Sequence, residues 1–150
     1  MILKFRLEHD SFGDLLVPFD ALYGAQTQRA IENFRISGLP MPAEFIQAMA
    51  MIKAAASEAN GVLGHMPKAK ARAISKAANA VASGGLADQF PVDVFQTGSG
   101  TSTNMNLNEV IAGLVRRQSK LSVHPNNEVN LGQSSNDVVP STSLLACSLL

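Results

Sequence analysis

The sequence is poor in cysteine, tryptophan and charge. The scarcity of cysteine excludes several kinds of site. Its single cysteine, Cys147, cannot form an intramolecular disulfide, a cysteine-ligated iron–sulfur cluster or a structural zinc site. The three histidines, His9, His65 and His124, do not stand at the spacing of a recognised metal motif. We therefore expect neither a metal nor another cofactor.

The charges balance and leave no excess for an anionic polymer or a membrane surface. Lysine plus arginine and aspartate plus glutamate each number 12, whereas nucleic acids and anionic lipids require a basic excess on one face. No apolar run reaches the roughly 18 residues that suggest a membrane span. The start of the chain resembles neither a signal peptide nor a transit peptide. We expect a soluble, cytoplasmic protein with no nucleic-acid or membrane partner.

Apolar residues recur at helical spacing along most of the chain, which predicts a mainly α fold. Residues 1–24 are expected to be extended and loop structure. Helices are predicted over residues 25–34, 43–60, 68–83, 104–118 and from 137 onward, with loops over 84–103 and 119–136. The last helix stops on Leu149 and Leu150 without a capping residue, so we expect the polypeptide to continue. A frayed natural end is the alternative.

A segment rich in glycine and hydroxyl side chains precedes the fourth predicted helix. Residues 97–103 read TGSGTST, in which two glycines allow the backbone to approach a ligand closely. The N-terminus of the following helix favours an anion. No lysine follows the second glycine, so the segment is not a P-loop. The alternative is that the hydroxyl groups only cap the helix.

A second donor-rich segment, QSSND over residues 133–137, precedes the last predicted helix, and capping is again the alternative. Together, two neutral segments of this kind can face each other around a small dicarboxylate. Preorganised donors stabilise a carboxylate that gains charge in a transition state. Serine, threonine and asparagine donate without titrating near pH 7. The pair therefore favours carbanion-type elimination next to a carboxylate.

His124 lies between the two segments, in VHPNNE over residues 123–128. It is a candidate general base or anion ligand, because histidine titrates near neutrality. The alternative is a histidine hydrogen-bonded within a structured turn that Pro125 supports.

These motifs together resemble the class II fumarases of the fumarase/aspartase superfamily. The matching segments are QTGSGTSTNMN over 96–106, NEV over 108–110, VHPN over 123–126, QSSND over 133–137, DSFG over 10–13 and ALYGAQTQR over 21–29. They match the family in order and spacing, and the resemblance extends over essentially the whole chain. The serine-containing forms of both loops look like fumarase, whereas aspartase tends to have GAGT and QSTN there.

The resemblance implies a mainly helical protein whose small N-terminal domain precedes a long helical bundle. Residues 1–136 would form that first domain, and residues 137–150 would begin the central bundle. Four full-length chains would pair their bundles into a homotetramer, with each active site built from three subunits. The implied activity is the reversible hydration of fumarate to L-malate, a step of the tricarboxylic acid cycle.

The resemblance also assigns roles to particular residues. Ser99 and Thr101 from the first loop, and Ser134, Ser135 and Asn136 from the second, would bind the substrate carboxylate. In such enzymes a base removes a proton from C3 of malate, which gives an aci-carboxylate carbanion, and hydroxide then leaves with help from an acid. The family's catalytic serine and active-site histidine would lie beyond residue 150, so this chain would contain no catalytic base or acid.

His124, Asn126 and Asn127 align with a second, non-catalytic dicarboxylate site of the family. Two departures put this site in doubt. Asn127 stands where the family often has aspartate, and Leu121 stands where it often has arginine, with Lys120 adjacent. The main site is untouched by these changes.

Two other functions remain open from the sequence. An ammonia-lyase of the same superfamily, acting on aspartate or a relative, would share the loops and the fold. A non-catalytic isolated domain is the alternative from another class, and we expect residues 1–150 alone to be inactive.

Overall fold

The computed structural model describes residues 4–150, and it begins with a hairpin. Strand β1 (Phe5–Asp10) pairs antiparallel with β2 (Gly13–Pro18), which confirms the expected extended structure; residues 1–3 of that prediction lie outside the described residues. Arg6 donates hydrogen bonds to the carbonyl groups of Pro18, Ala21 and Tyr23. This arginine therefore fixes the course of the chain after β2.

Five α-helices make up most of the rest, which confirms the mainly α prediction. They are α1 (Ala25–Asn33), α2 (Ala43–Val62), α3 (Lys68–Ala82), α4 (Thr101–Gln118) and α5 (Ser135–Leu149). A short 3₁₀ turn spans Ala87–Gln89 and a π turn spans Pro125–Val129. None of the helices within residues 4–150 is long and apolar enough to cross a membrane.

The two helices that follow the donor-rich segments both start earlier than predicted. Helix α4 begins at Thr101 instead of 104, because Gly100 takes the left-handed conformation, with a φ of 66°, and ends the loop there. Helix α5 begins at Ser135 instead of 137, directly after its capping residue Ser134. Part of each predicted loop is therefore the first turn of a helix.

Smaller differences occur at the other helix ends. Helices α1 and α3 each end one residue before the predicted position, and α2 continues past Gly61 to Val62. A Cβ added at Gly61 would lie 2.6 Å from Cβ of Ala71. This glycine therefore allows α2 and α3 to approach closely and does not break the helix.

Helix α4 lies at the centre of the fold and packs against α1, α2, α3 and α5. Its apolar side chains Leu107 and Ile111 are fully buried in the core. Gly113 allows an equally close approach on another side, since an added Cβ would lie 2.3 Å from the carbonyl oxygen of Leu22. Elements that contact α4 are therefore held at fixed distances from its axis.

A buried carboxylate of α4 fixes the start of α1. Glu109 accepts hydrogen bonds from the backbone N–H groups of Gly24, Gln26 and Thr27 at 2.9, 3.1 and 3.0 Å, and from Oγ1 of Thr27 at 2.6 Å. The first N–H groups of a helix have no partner within it, and a negative charge is favourable there. Glu109 supplies the cap that Gly24, at the N-cap position, has no side chain to provide.

Replacing Glu109 by glutamine keeps the shape of the side chain but removes its charge and one acceptor oxygen. We expect Glu109→Gln to lower the free energy of unfolding by about 2 kcal/mol, the magnitude typical of a hydrogen bond to a charged group. Urea denaturation followed by circular dichroism measures the change. The control is Glu32→Gln at an exposed position of α1, with an expected change below about 0.5 kcal/mol. Equal effects would contradict the proposed role of Glu109.

Candidate functional site

The first donor-rich loop presents its hydroxyl groups to solvent. Thr97, Ser99 and Thr101 are exposed, and Oγ of Ser99 lies 3.0 Å from Oγ1 of Thr101. Gly100 occupies the N-cap position of α4, and no side chain at that position caps the helix. The alternative reading of these hydroxyl groups as a simple cap is therefore wrong for this loop.

Gln96 caps α4 instead, and the sequence analysis did not assign it a role. Its Oε1 accepts a hydrogen bond from the backbone N–H of Thr103 at 2.8 Å, and its Nε2 donates to the hydroxyl of the same threonine. The Gln96 side chain is buried. The two hydrogen bonds between Gln96 and Thr103 join the ends of the segment formed by residues 97–102. Spacing alone does not reveal this contact, because it joins a loop residue to the third residue of a helix.

Asp93 anchors the segment that leads into this loop. Its buried carboxylate accepts hydrogen bonds from the backbone N–H groups of Ser37, Gly38 and Phe95 at 2.6, 2.7 and 2.9 Å. Burial by itself would raise the pKa of Asp93, but these backbone donors and the Ser37 hydroxyl hold the pKa well below its usual value. The carboxylate therefore stays ionised and ties the loop to the connection between α1 and α2.

The second donor-rich loop does cap its helix. Oγ of Ser134 accepts a hydrogen bond from the backbone N–H of Asn136 at 3.3 Å, which confirms capping for this residue. The Asn136 side chain is exposed. Pro140, four residues later, has no N–H with which to bond the Asn136 carbonyl group. The start of α5 therefore presents both a side-chain amide and a carbonyl without its usual helical partner.

The structure places the starts of α4 and α5 side by side. Nδ2 of Asn104, one turn into α4, donates to Oγ of Ser135 at 3.2 Å. A Cβ added at Gly100 would lie 3.0 Å from Cγ1 of Val139 on α5. The two loops that carry Ser99, Thr101, Ser134, Ser135 and Asn136 thus begin neighbouring helices.

A cleft of about 380 Å³ lies where the first loop meets α5. Gln96, Thr97 and Gly100 line it from the loop, and Val139 and Ser143 line it from α5. None of the five predicted carboxylate ligands is among its lining residues. Four of those side chains are exposed at the two helix starts instead, and the fifth, Ser135, is half-buried.

A buried polar cluster lies beneath the two helix starts. Oδ1 of Asn130 accepts hydrogen bonds from Lys53 Nζ, Asn104 Nδ2 and Asn108 Nδ2 at 2.8, 3.1 and 3.3 Å. Burial lowers the pKa of Lys53 to about 7. The sequence analysis missed this cluster, because Lys53 lies within a regular helical pattern and Asn130 in an irregular loop.

His124 caps the π turn that follows it, which confirms the reading of a histidine bonded within a structured turn. Its Nδ1 accepts hydrogen bonds from the backbone N–H groups of Asn126 and Asn127 at 3.2 and 3.1 Å. The backbone N–H of His124 donates to the carboxylate of Glu128, which also pairs with Lys70 at 2.6 Å. Because Nδ1 accepts, this network assigns the proton of the neutral ring to Nε2.

A cleft of about 410 Å³ separates this turn from the N-terminal hairpin. His124 and Asn126 line it, whereas Asn127 does not. Arg116, and not Lys120, is the basic residue on its wall, and Arg116 lies 3.9 Å from the carboxylate of Glu8. The cleft is therefore separate from the five predicted ligands of the main site.

No group of three or more histidine, cysteine, aspartate or glutamate side chains within residues 4–150 is placed to hold a metal ion. Cys147 is exposed on α5.

Comparisons with known proteins agree with this geometry. A family described as lyase matches residues 13–149. Class II fumarate hydratase from Xylella fastidiosa is 60% identical over 146 residues, which cover 97% of this chain and 31% of that protein. Among solved structures, a recombinant class II fumarase from Schistosoma mansoni has a TM-score of 0.93 and 40% identity over 97% of this chain and 32% of its own.

A fumarate lyase:delta crystallin from Brucella melitensis in native form has a TM-score of 0.92 and 43% identity. The match covers 96% of this chain and 34% of that chain. The chain thus spans about a third of the length of the proteins it matches.

Sequence and structure therefore lead to the same result, and the resemblance seen in the loop motifs is confirmed. The chain belongs to the lyase family that includes the class II fumarate hydratases.

Proposed function

We propose that residues 1–150 belong to a longer enzyme that reversibly hydrates fumarate to L-malate in the tricarboxylic acid cycle. The observation that carries this proposal is the pairing of two exposed, uncharged donor loops at the adjacent starts of α4 and α5. Relatives named class II fumarate hydratase suggest which reaction the loops serve.

We further propose that residue 137 begins the central bundle, that the full-length protein is a cytoplasmic homotetramer, and that three subunits build each active site.

In this proposal Ser99, Thr101, Ser134, Ser135 and Asn136 bind the carboxylate next to the reacting carbon. Removal of a proton from C3 of malate leaves an electron pair that the adjacent carboxylate takes up as an aci-carboxylate. Loss of the C2 hydroxyl as water, with an acid supplying its proton, then gives fumarate. Uncharged donors fixed at helix starts stabilise that added charge without reorganising, so the loops need no metal or cofactor for this role.

The base and the acid are proposed to lie beyond residue 150. His124 is bound within its own turn through Nδ1, which leaves Nε2 to face a ligand. We propose a second, non-catalytic dicarboxylate site at the hairpin cleft, with His124 and Asn126 as ligands and Asn127 beside them. Arg116 supplies positive charge on the cleft wall, whereas Lys120, the basic residue next to Leu121, does not line the cleft.

The reaction is tested by supplying L-malate and L-aspartate separately to the full-length protein. We expect fumarate, followed by its ultraviolet absorbance, to form from malate and not from aspartate. This expectation rests on the serine-containing form of both loops, which resembles that of fumarase and not that of aspartase. Fumarate from aspartate alone would replace the proposed hydratase with an ammonia-lyase, and no product from either substrate would refute the assignment of both loops.

Residues 1–150 alone are expected to catalyse neither reaction, because the proposed base and acid are absent from them. The purified chain, verified by mass spectrometry and by helical circular dichroism, is mixed with malate under the conditions used for the full-length protein. Turnover above the buffer background would show that the chain contains a complete catalytic set.

The loop assignment predicts a difference between two threonines of one loop. Thr101→Val removes a proposed carboxylate donor while keeping the side-chain shape, and it should lower kcat/KM for malate about 100-fold, as loss of one such donor typically does. Thr97→Val is the matched control, since Thr97 is exposed in the same loop without an assigned role, and it should change kcat/KM less than about threefold. Similar losses for both would mean that the hydroxyl of Thr101 does not contact substrate.

A further inference from the structure

Lys53 is the largest fully buried side chain of the described residues, and it has no acidic partner there. Its Nζ donates to the amide oxygen of Asn130 at 2.8 Å, and no salt bridge within residues 4–150 includes it. A buried ammonium group is costly unless it is paired or well hydrogen-bonded. The position of this lysine therefore requires an explanation beyond packing.

The acidic side chains on the elements that pack around α2 are engaged elsewhere or exposed. Glu109 of α4 caps α1, and Glu58 of α2 accepts a hydrogen bond from Ser75. Glu128 of the π turn pairs with Lys70, and Asp137 at the start of α5 is exposed. Burial is the only cause of the lowered pKa of Lys53.

The basic side chains of those elements are paired or exposed. On α3, Lys70 is paired with Glu128, while Lys68, Arg72 and Lys76 are exposed. At the end of α4, Arg116 and Arg117 are exposed. When Lys53 is protonated, its charge is therefore met by the amide oxygen of Asn130 and is not neutralised by a carboxylate of a described residue.

The amide groups around Lys53 lead directly to the proposed carboxylate site. Asn130 Oδ1 also accepts from Asn104, and Asn104 donates onward to Oγ of Ser135. Three hydrogen bonds in series thus join the lysine to a proposed substrate ligand. On its other side, Nδ2 of Asn130 donates to the carbonyl oxygen of Gln133 at 3.2 Å, directly before Ser134.

The cluster also contains unused acceptors. Oδ1 of Asn104, Oδ1 of Asn108 and Oε1 of Gln133 are buried and accept no hydrogen bond from a described residue. The orientation of Asn130 is nevertheless fixed, because its oxygen faces three donors and its nitrogen faces a carbonyl group. Through Asn130, the charge state of Lys53 can therefore act on the second donor loop without a movement of α4 or α5.

We propose that Lys53 acts on the bound dicarboxylate through its buried positive charge, which lies beneath the second donor loop and is joined to it by Asn130. This inference rests on the proposed function, since it gives the charge a ligand to act on. A dianion above the cluster favours the charged lysine, and by linkage the charged lysine favours the dianion. The affinity for a dicarboxylate should therefore fall as the pH rises through the pKa of Lys53.

The test uses the full-length protein and succinate, a saturated dicarboxylate that cannot react, with titration calorimetry at about pH 6 and about pH 9. At the lower pH, Lys53→Met should bind succinate about tenfold more weakly than the wild type, the equivalent of one pKa unit. At the higher pH, where Lys53 is neutral, the two proteins should bind alike. Lys76→Met, at an exposed position of α3, is the control and should follow the wild type throughout.

The pH dependence separates this proposal from a structural role. A lysine that only holds Asn130 in place would, when replaced, weaken binding equally at both pH values, and that result would overturn the proposal. Equal binding by Lys53→Met and the wild type at both values would overturn it as well.

A second measurement does not depend on the folding of the variant. The pKa of Lys53 is followed by NMR in wild-type protein labelled with ¹³C-lysine, with and without saturating succinate. We expect succinate to raise the pKa of Lys53 by about one unit, and an unchanged pKa would overturn the proposal. If the wild type neither binds succinate nor converts malate, the proposed function itself fails. If it does both while Lys53 is unaffected, only this inference fails.

Discussion

The fold depends on the need to satisfy the buried polar side chains of its central helix. Besides Thr103, four of them lie within two turns of α4: Asn104, Asn106, Asn108 and Glu109. A buried polar group without a partner is costly, so each must be met by a neighbouring element. Their partners come from the start of α1, the 3₁₀ turn, the loop around residue 130 and the start of α5. Apolar packing alone would not fix the register of these elements around α4.

The hydrogen bonds of these buried side chains also hold the two loops of the candidate site in place. The inward-facing polar residues of α4 are buried and Asn130 is half-buried, whereas the side chains proposed to bind substrate, apart from the half-buried Ser135, are exposed at the helix starts. Gln96 and Asp93 tie the first loop, and Ser134 together with Asn130 ties the second. Donors held in this way lose little freedom when a ligand arrives, which is the condition for effective stabilisation of developing charge.

Comparison of prediction and structure shows which local signals are reliable. The five helices were predicted because apolar periodicity reports the face that each helix buries. Helix starts were less reliable. Gly100 was expected to lie within a longer loop, yet its left-handed conformation ends that loop, and Thr101 is already helical. The second helix was expected to end at residue 60, yet Gly61 lies within α2 and allows close packing against Ala71. In both cases the role of the glycine depends on a neighbour that is distant in sequence or on a backbone angle.

The sequence by itself determined the mainly α fold, the two donor-rich loops before helices and the resemblance to class II fumarases, because these depend on local composition, spacing and motif. Only the tertiary structure decided that Gln96 caps α4, that Glu109 caps α1, and that a buried Lys53 meets Asn130. The last two contacts join residues more than 75 positions apart. No local pattern encodes such pairs, because their partners are chosen by which buried groups the packed helices leave in need of a hydrogen bond.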